Sequence, residues 1–445
     1  MRWSQISPTR WERPLNGLET YFWFTGQATA SVCGGREHFL MFSTVKVGFN
    51  LLDVRSSLRD AWKQLRHDEP ELAVTFEGDK KVYEVPVEAE LETWLDAAFV
   101  VVSNVSDAEE FYQTFTREYK QTTLYYIPAS SELILFTHHA IIDGIGLLMF
   151  WDKFFTALAS PKSNISFGEE HTRLNPTVDE ILGYSAPSPK ATEKATAMIM
   201  NDYTARLPAI GLPSGVGKTV PGGCRHIEHR FSPETTEAIV TACKKRGISV
   251  TPAVHAAYIR VLMENADLVS NSTRYTSSAE FNFRPYLPDN YKNTAVANYY
   301  SPYALTTKLP ASHTELAQTL NMYYTTIKGN PEYMEMAGPL TQTLAGLVQS
   351  PAYQTAPIPT DALVSSIGVV EQYLKRGYGS VVTVKDYKLN LDIVLGMSLI
   401  NFYTFGGELR LMYNFNEGYE KPEDIQGYLG GVEKVLRVEL LGETQ

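Results

Sequence analysis

One stretch constrains this 445-residue chain more than any other. It reads Ser131-Glu-Leu-Ile-Leu-Phe-Thr-His-His-Ala-Ile-Ile-Asp-Gly-Ile-Gly146. The apolar run Leu133 to Phe136 predicts a buried strand. His138 and His139 follow at once, and then the turn-forming pair Asp143-Gly144. Ile145 to Leu158 has the length and apolar face of a helix, with Asp143 placed to cap its first turn. Strand, tight connection and helix therefore gather two imidazoles and a carboxylate in one loop with rigid flanks, a position that often holds binding and catalytic groups. A neutral imidazole near pH 7 takes a proton from a hydroxyl or amine and returns it within one cycle, provided the backbone fixes its tautomer and aim. An Asp across a tight turn fixes such a loop by pairing with an Arg from elsewhere.

Composition narrows the chemistry by exclusion. A formal net charge of -11 lacks the clustered cations of a nucleic-acid footprint. Cys33, Cys224 and Cys243 are odd in number and widely spaced, which indicates neither a disulfide framework nor a zinc site. They fit a reducing compartment, and none sits in a nucleophile motif. The opening MRWSQISPTRWERPLNG has no apolar core of a secretory signal, and no run approaches the length of a membrane span. A cytoplasmic protein is expected. Gly211 to Thr219 imitates a phosphate-cradling loop, but Leu212 stands where that loop needs its first glycine and no apolar strand precedes it.

Along the chain, Arg13 and Glu19 flank the start of an aromatic stretch, Tyr21-Phe-Trp-Phe24. Phe39 to Phe49 predicts a strand and Leu51 to Leu65 a helix. Strands are expected at Leu72 to Phe76, Val82 to Val85, Ala97 to Val102 and Thr123 to Ile127, with a helix near Asp107 to Glu118. From about Ala159 to Gly223 prolines arrive among Ser, Thr and Gly, the texture of a long connection. Beyond it, Ser232 caps a helix, Ala253 to Glu264 predicts another with His255 packed inside it, and Ser277 to Asn282 leads into Phe283-Arg284-Pro285. Further strands are expected at Ala362 to Gly368, Leu389 to Ile393 and Met397 to Phe402, with Gly406-Gly407 turning a hairpin.

His138-His139-Ala140-Ile141-Ile142-Asp143-Gly144 matches the HHxxxDG signature and resembles the chloramphenicol-acetyltransferase-like superfamily. That group includes peptide-synthetase condensation domains, plant acyltransferases and fungal O-acetyltransferases, and the trichothecene 15-O-acetyltransferase type is the branch it most resembles. The late Asp-Phe-Gly-Trp-Gly motif of the plant enzymes is absent, which places the chain on the fungal or condensation-like side.

The resemblance implies an α/β fold of two acetyltransferase-like sandwich subdomains with a central active-site channel. The expected division is an N-terminal subdomain at 1–175, a connecting segment at 176–224 and a C-terminal subdomain at 225–445. It implies that His139 is the general base, that His138, Asp143 and Gly144 support the loop, and that Arg284 pairs with Asp143 and ties the loop to the second subdomain. Arg13 and Glu19 would pack beneath that loop. The implied reaction moves an acyl group, acetyl first, from acetyl-CoA or another acyl-CoA to a hydroxyl of a small hydrophobic secondary metabolite such as a terpenoid or polyketide. Coenzyme A enters as co-substrate, with no bound cofactor and no metal, and a monomer is expected. Three alternatives stay open: an acyl carrier protein as donor, a cyclisation or condensation with no acyl donor, and a non-catalytic binding module with the same fold.

Overall fold

The apolar run at Leu133 lies inside a six-stranded sheet. The computed structural model of the protein describes residues 2–271, 273–351, 356 and 358–444. Its chain forms two compact units, one of Met1–Ala186, Asn282–Tyr300 and Val370–Leu391, the other of Pro187–Phe281, Ser301–Val369 and Asp392–Gln445. The expected division at 175 and 225 was contiguous, whereas these units interleave. A strand joins whichever sheet it pairs with, and the local sequence does not announce that choice.

In the first unit the elements that matter for the site are α1 (Gly17–Val32), β1 (Leu40–Phe49), α2 (Val54–Asp68), β2 (Phe99–Val101), β3 (Thr123–Ile127), β4 (Glu132–His138), α3 (Gly144–Ala159), β5 (Gly377–Tyr378) and β6 (Val382–Leu391). The sheet order is β5-β6-β1-β4-β3-β2. Only β2 pairs parallel, against β3. The β1–β4 register sets Leu40 opposite His138 and Phe42 opposite Phe136. On one face Leu40, Phe42, Phe111, Tyr112, Ile127, Ile134 and Phe136 form a buried cluster. Alternation along β4 puts His138 on the side of Ile134 and Phe136. With α3, Leu147, Leu148, Phe150, Trp151, Phe154 and Phe155 are fully buried, and Trp151 Nε1 donates to Ser43 Oγ of β1 at 2.8 Å. An indole whose one polar atom is satisfied can be buried whole.

One local expectation fails in this unit, and one element was not expected. Leu72 to Phe76 is not one strand: Pro70–Ala73 forms a 3-10 turn and only Thr75–Glu77 pairs. Pro70 suits the first position of such a turn, because its missing amide is not needed there. A helix at Glu88–Ala98, absent from the sequence reading, precedes β2.

In the second unit four strands pair in the order Leu363–Val369, Leu399–Phe405, Glu408–Asn416, Cys224–Arg230. Gly406 and Gly407 both take positive φ, 62° and 83°, and join two of those strands as a two-residue hairpin. Ser232 caps the helix Pro233–Lys245 through the Thr235 amide. The helix Val250–Asn265 is almost wholly buried, and its His255 is satisfied by the Tyr324 and Tyr275 hydroxyls at 3.1 and 2.9 Å. That histidine is packing. The phosphate-loop look-alike is spoken for too, since Thr219 Oγ1 donates to the carbonyls of Gly215 and Gly418.

Candidate active site

The loop after β4 is locked from three directions. Asp143, 3% exposed, is the N-cap of α3, and its Oδ1 accepts the Gly146 amide at 2.7 Å. Arg284 Nη1 donates to both carboxylate oxygens, at 2.9 and 2.7 Å, and the Tyr299 amide donates to Oδ2 at 2.9 Å. The rest of the guanidinium is taken up by carbonyls: Nε donates to Thr294 O at 3.1 Å and Nη2 to Ala297 O at 3.1 Å. Every charged atom in this buried pair therefore has a partner, which is the condition under which burying a pair is tolerated. Arg284 sits in the Asn282–Tyr300 segment, which belongs to the same compact unit as Asp143. The expectation that it reaches from the second subdomain is corrected accordingly: the lock lies within one unit.

Gly146 shows how tightly the parts fit. A methyl group there would stand 2.3 Å from Ala295 O, 2.8 Å from Ile142 Cγ1 and 3.1 Å from Arg284 Nη2. Only a residue without Cβ allows the helix start to approach that backbone.

The two histidines have different environments. His138 is fully buried, and its Nδ1 accepts the Ala140 amide at 3.0 Å. A ring nitrogen that accepts carries no proton, so the neutral ring holds its hydrogen on Nε2. That atom lies 3.7 Å from Glu37 Oε2, longer than a hydrogen bond. A Cβ on Gly26 would come within 2.9 Å of it. Burial pushes His138 down to about 3, with His139 and Lys81 adding to the effect, while burial pushes the Glu37 carboxyl up to about 7. The His138 ring is fully enclosed by protein.

His139 is half-buried. Its backbone is held at both ends: the amide donates to Phe39 O at 3.3 Å, and the carbonyl accepts from Asn298 Nδ2 at 2.9 Å. Phe39 presents that carbonyl from a left-handed backbone, φ 68°, an uncommon state for a residue with a bulky side chain. Among the described residues, the buried polar atoms without a hydrogen-bond partner include His139 Nδ1 and not Nε2. One ring nitrogen is sealed and the other is open. The ring stacks on Phe22, centroids 4.0 Å apart at 7°, with Tyr300 at 6.0 Å. Burial pushes His139 down to about 4 against the pull of the backbone at His139 and Ile142 and of the Asp143 carboxylate. The imidazole is neutral at physiological pH, with a lone pair to offer.

Gly144 is the first residue of α3. Gly146 and Leu147 take the Asp143 side chain and carbonyl, and the amide at the first helical position has no intrahelical partner.

Beneath α1, Arg13 grips Glu19 with both terminal nitrogens, at 2.9 and 2.8 Å. Lys81 Nζ joins Glu19 at 2.7 Å and Glu71 at 3.2 Å. Glu19 also closes a capping box with Asn16. Arg13 and Glu19 are a buried pair rather than a surface one.

The loop brings together His138, His139, Asp143, Gly144 and Arg284. The sequence reading passed over Phe22, Phe39, Gly146 and Asn298. Phe22 lay in the aromatic stretch Tyr21 to Phe24, a pattern that does not distinguish a site from packing. Among the described residues, no group of three or more His, Cys, Asp or Glu side chains is arranged to hold a metal ion, and no helix is long and apolar enough to cross a membrane.

No family model matches the chain. The acetyltransferase pigO of Monascus ruber is 28% identical over 458 residues, covering 99% of this chain and 98% of its own. Among solved structures, the trichothecene 15-O-acetyltransferase TRI3 of Fusarium sporotrichioides superposes with a TM-score of 0.83 at 15% identity, over 98% of this chain and 97% of that one. The first condensation domain of the calcium-dependent antibiotic synthetase gives 0.68 at 14% identity, over 97% of each chain. The two-unit α/β architecture is thus the fold shared by TRI3 and the condensation domain, and over its full length the chain is similar in sequence to a named acetyltransferase.

Proposed function

We propose that the chain is an O-acetyltransferase of secondary metabolism that uses acetyl-CoA and a hydroxyl of a small hydrophobic acceptor, with His139 as general base. The observation that carries this reading is the state of His139: neutral, fixed at its amide and carbonyl, with Nδ1 sealed and Nε2 open. Nε2 takes the hydroxyl proton as the oxygen attacks the thioester carbonyl. The tetrahedral intermediate expels the coenzyme A thiolate, which recovers the proton from the imidazolium. No covalent acyl-enzyme is needed. A positioned base of this kind supplies roughly 10² to 10⁴ in rate. The Gly144 amide, at the positive end of α3, is the donor assigned to the developing oxyanion. His138, Asp143 and Arg284 hold the loop. The similarity to the acetyltransferase pigO of Monascus ruber and to the fold of a trichothecene 15-O-acetyltransferase supports a secondary-metabolite alcohol as acceptor.

The test is coenzyme A thiol release from acetyl-CoA with a panel of terpenoid and polyketide alcohols, wild type beside His139→Ala. Alcohol-dependent release that the variant loses, with folding intact, is the expected result. Near-normal release by His139→Ala removes it as the base. A folded wild type that releases no thiol with any alcohol overturns the coenzyme A donor and favours a carrier-protein donor or a cyclisation.

A further inference from the structure

The aromatic stretch at the start of α1 has no place in the mechanism above, yet two of its rings meet the tandem histidines. Trp23 lies against His138, ring centroids 5.4 Å apart at 68°. Phe22, the residue before it, lies face to face with His139 at 4.0 Å and 7°. Phe22 is itself buried and wedged edge-on by Phe39 at 5.1 Å and 86° and by Tyr21 at 5.2 Å and 66°. It cannot swing away without breaking both contacts.

The helix that carries it is fixed just as firmly. Glu19, one turn before Phe22, is held by Arg13 and Lys81 and closes the α1 capping box. The buried ion network therefore fixes the position of one aromatic face against the proposed base.

That face treats the two protonation states of His139 unequally. Two neutral rings lying nearly parallel gain little from their quadrupoles, which favour offset or edge-on geometry. A cation within about 6 Å of a ring centroid, over its face, is attracted, and more strongly when desolvated. The imidazole becomes such a cation only after Nε2 has taken a proton. An interaction that is stronger after proton transfer has begun than before it lowers the barrier rather than merely tightening the resting state.

We infer that Phe22 is a positioning residue for acyl transfer: its ring sets the plane of the His139 imidazole and stabilises the imidazolium that forms as the acceptor hydroxyl is deprotonated. The inference rests on the reading of His139 as the base. The other groups facing that ring are the Asp143 carboxylate, already paired with Arg284, His138 on β4, the Asn298 side chain at the His139 carbonyl, and Tyr300.

Three versions of the full chain test it: Phe22→Leu, Phe22→Tyr, and pentafluorophenylalanine at position 22, which keeps the shape of the ring and reverses its quadrupole. The Leu and pentafluoro proteins are expected to lose roughly ten-fold in kcat, about 1.4 kcal/mol, with the KM for acetyl-CoA unchanged. The acid limb of their kcat/KM profile moves to lower pH, because the protonated base has lost a stabilising face. Phe22→Tyr restores both. Independently of turnover, the upfield ring-current shift of the His139 ring protons is present in wild type and Phe22→Tyr and lost in Phe22→Leu. Wild-type kcat and an unmoved acid limb in the pentafluoro protein overturn the inference while leaving His139 as base. Turnover surviving in His139→Ala overturns the base reading, and the inference with it.

Discussion

Replacing Asp143 by Asn removes one charge and almost no volume. The carboxylate accepts from Gly146 N, from Tyr299 N and twice from Arg284 Nη1, all within 2.9 Å. An amide keeps one acceptor oxygen and puts an NH₂ donor in place of the other. Whichever way it turns, a donor then faces the guanidinium together with either the Tyr299 amide or the Gly146 amide. The Arg284 side chain, 3% exposed, is left as a buried cation facing only carbonyls. Breaking a buried pair by removing one partner costs about 3–5 kcal/mol. The carbonyls of Thr294, Ala295 and Ala297 still solvate the cation, so the lower end, about 3 kcal/mol, is expected. For a unit of this size that corresponds to a Tm lower by roughly 6–12 °C.

Thermal and urea unfolding of Asp143→Asn, Arg284→Gln and the double variant give the cycle, with thiol release measured well below each Tm. The double variant leaves no unpaired charge and should cost less than the sum of the singles, by about 2 kcal/mol. Activity should fall together with stability, since the loop that aims His139 is loosened. A loss below about 1 kcal/mol for Asp143→Asn, or strict additivity, would refute the lock. Lost turnover at unchanged stability would move Asp143 from holding the loop to acting in the chemistry.

Two further outcomes can be checked on the same footing. Gly146→Ala, whose Cβ would stand 2.3 Å from a backbone carbonyl, should destabilise by roughly 1–3 kcal/mol or prevent folding, read as Tm and soluble yield; a wild-type Tm would show that the helix start is not tightly seated. For Glu37, burial raises the folded carboxyl from its ordinary value near 4.5 to about 7, so the folded protein holds a proton that the unfolded chain releases above that lower value. Its stabilising contribution is present below the unfolded pKa and is lost as pH rises through about 7. Glu37→Gln cannot ionise, so its Tm relative to wild type should climb between pH 5 and pH 8; a constant difference across that range contradicts the buried, protonated state.

What could be read from the sequence followed what was local. The run Leu133 to Phe136 is apolar without interruption because β4 has neighbours on both edges and cover on both faces, and Asp143 announces a cap because the cap is three residues long. The strand at Leu72 failed because Pro70 and Glu69 favour a turn that apolar content hides. Asp143 and Arg284 were matched only through the family resemblance, since nothing near Arg284 names its partner. The interleaving of the units and the role of Asn298 depend on segments far apart in sequence returning to one sheet and one loop. A residue whose work is one side-chain bond to a backbone carbonyl leaves no pattern in composition or period.

The electrostatics of the loop follow from the same packing. A base must be neutral at rest, and a nearby unpaired carboxylate would raise its affinity for protons. Asp143 lies close enough to pull His139 in that direction, but Arg284 neutralises it at 2.7 Å. The pair fixes the loop while adding no net charge beside His139, the proposed base, and burial then sets the protonation state. What remains to stabilise the imidazolium are groups fixed before the reaction begins: the backbone at His139 and Ile142, and the Phe22 face. These fixed dipoles need no reorganisation when the proton moves, which is the property that makes preorganised polar groups more effective than water. Under the proposed mechanism Arg284 serves His139 by cancelling a charge, and Phe22 and the surrounding backbone serve it by supplying attraction that appears only once the proton has been taken.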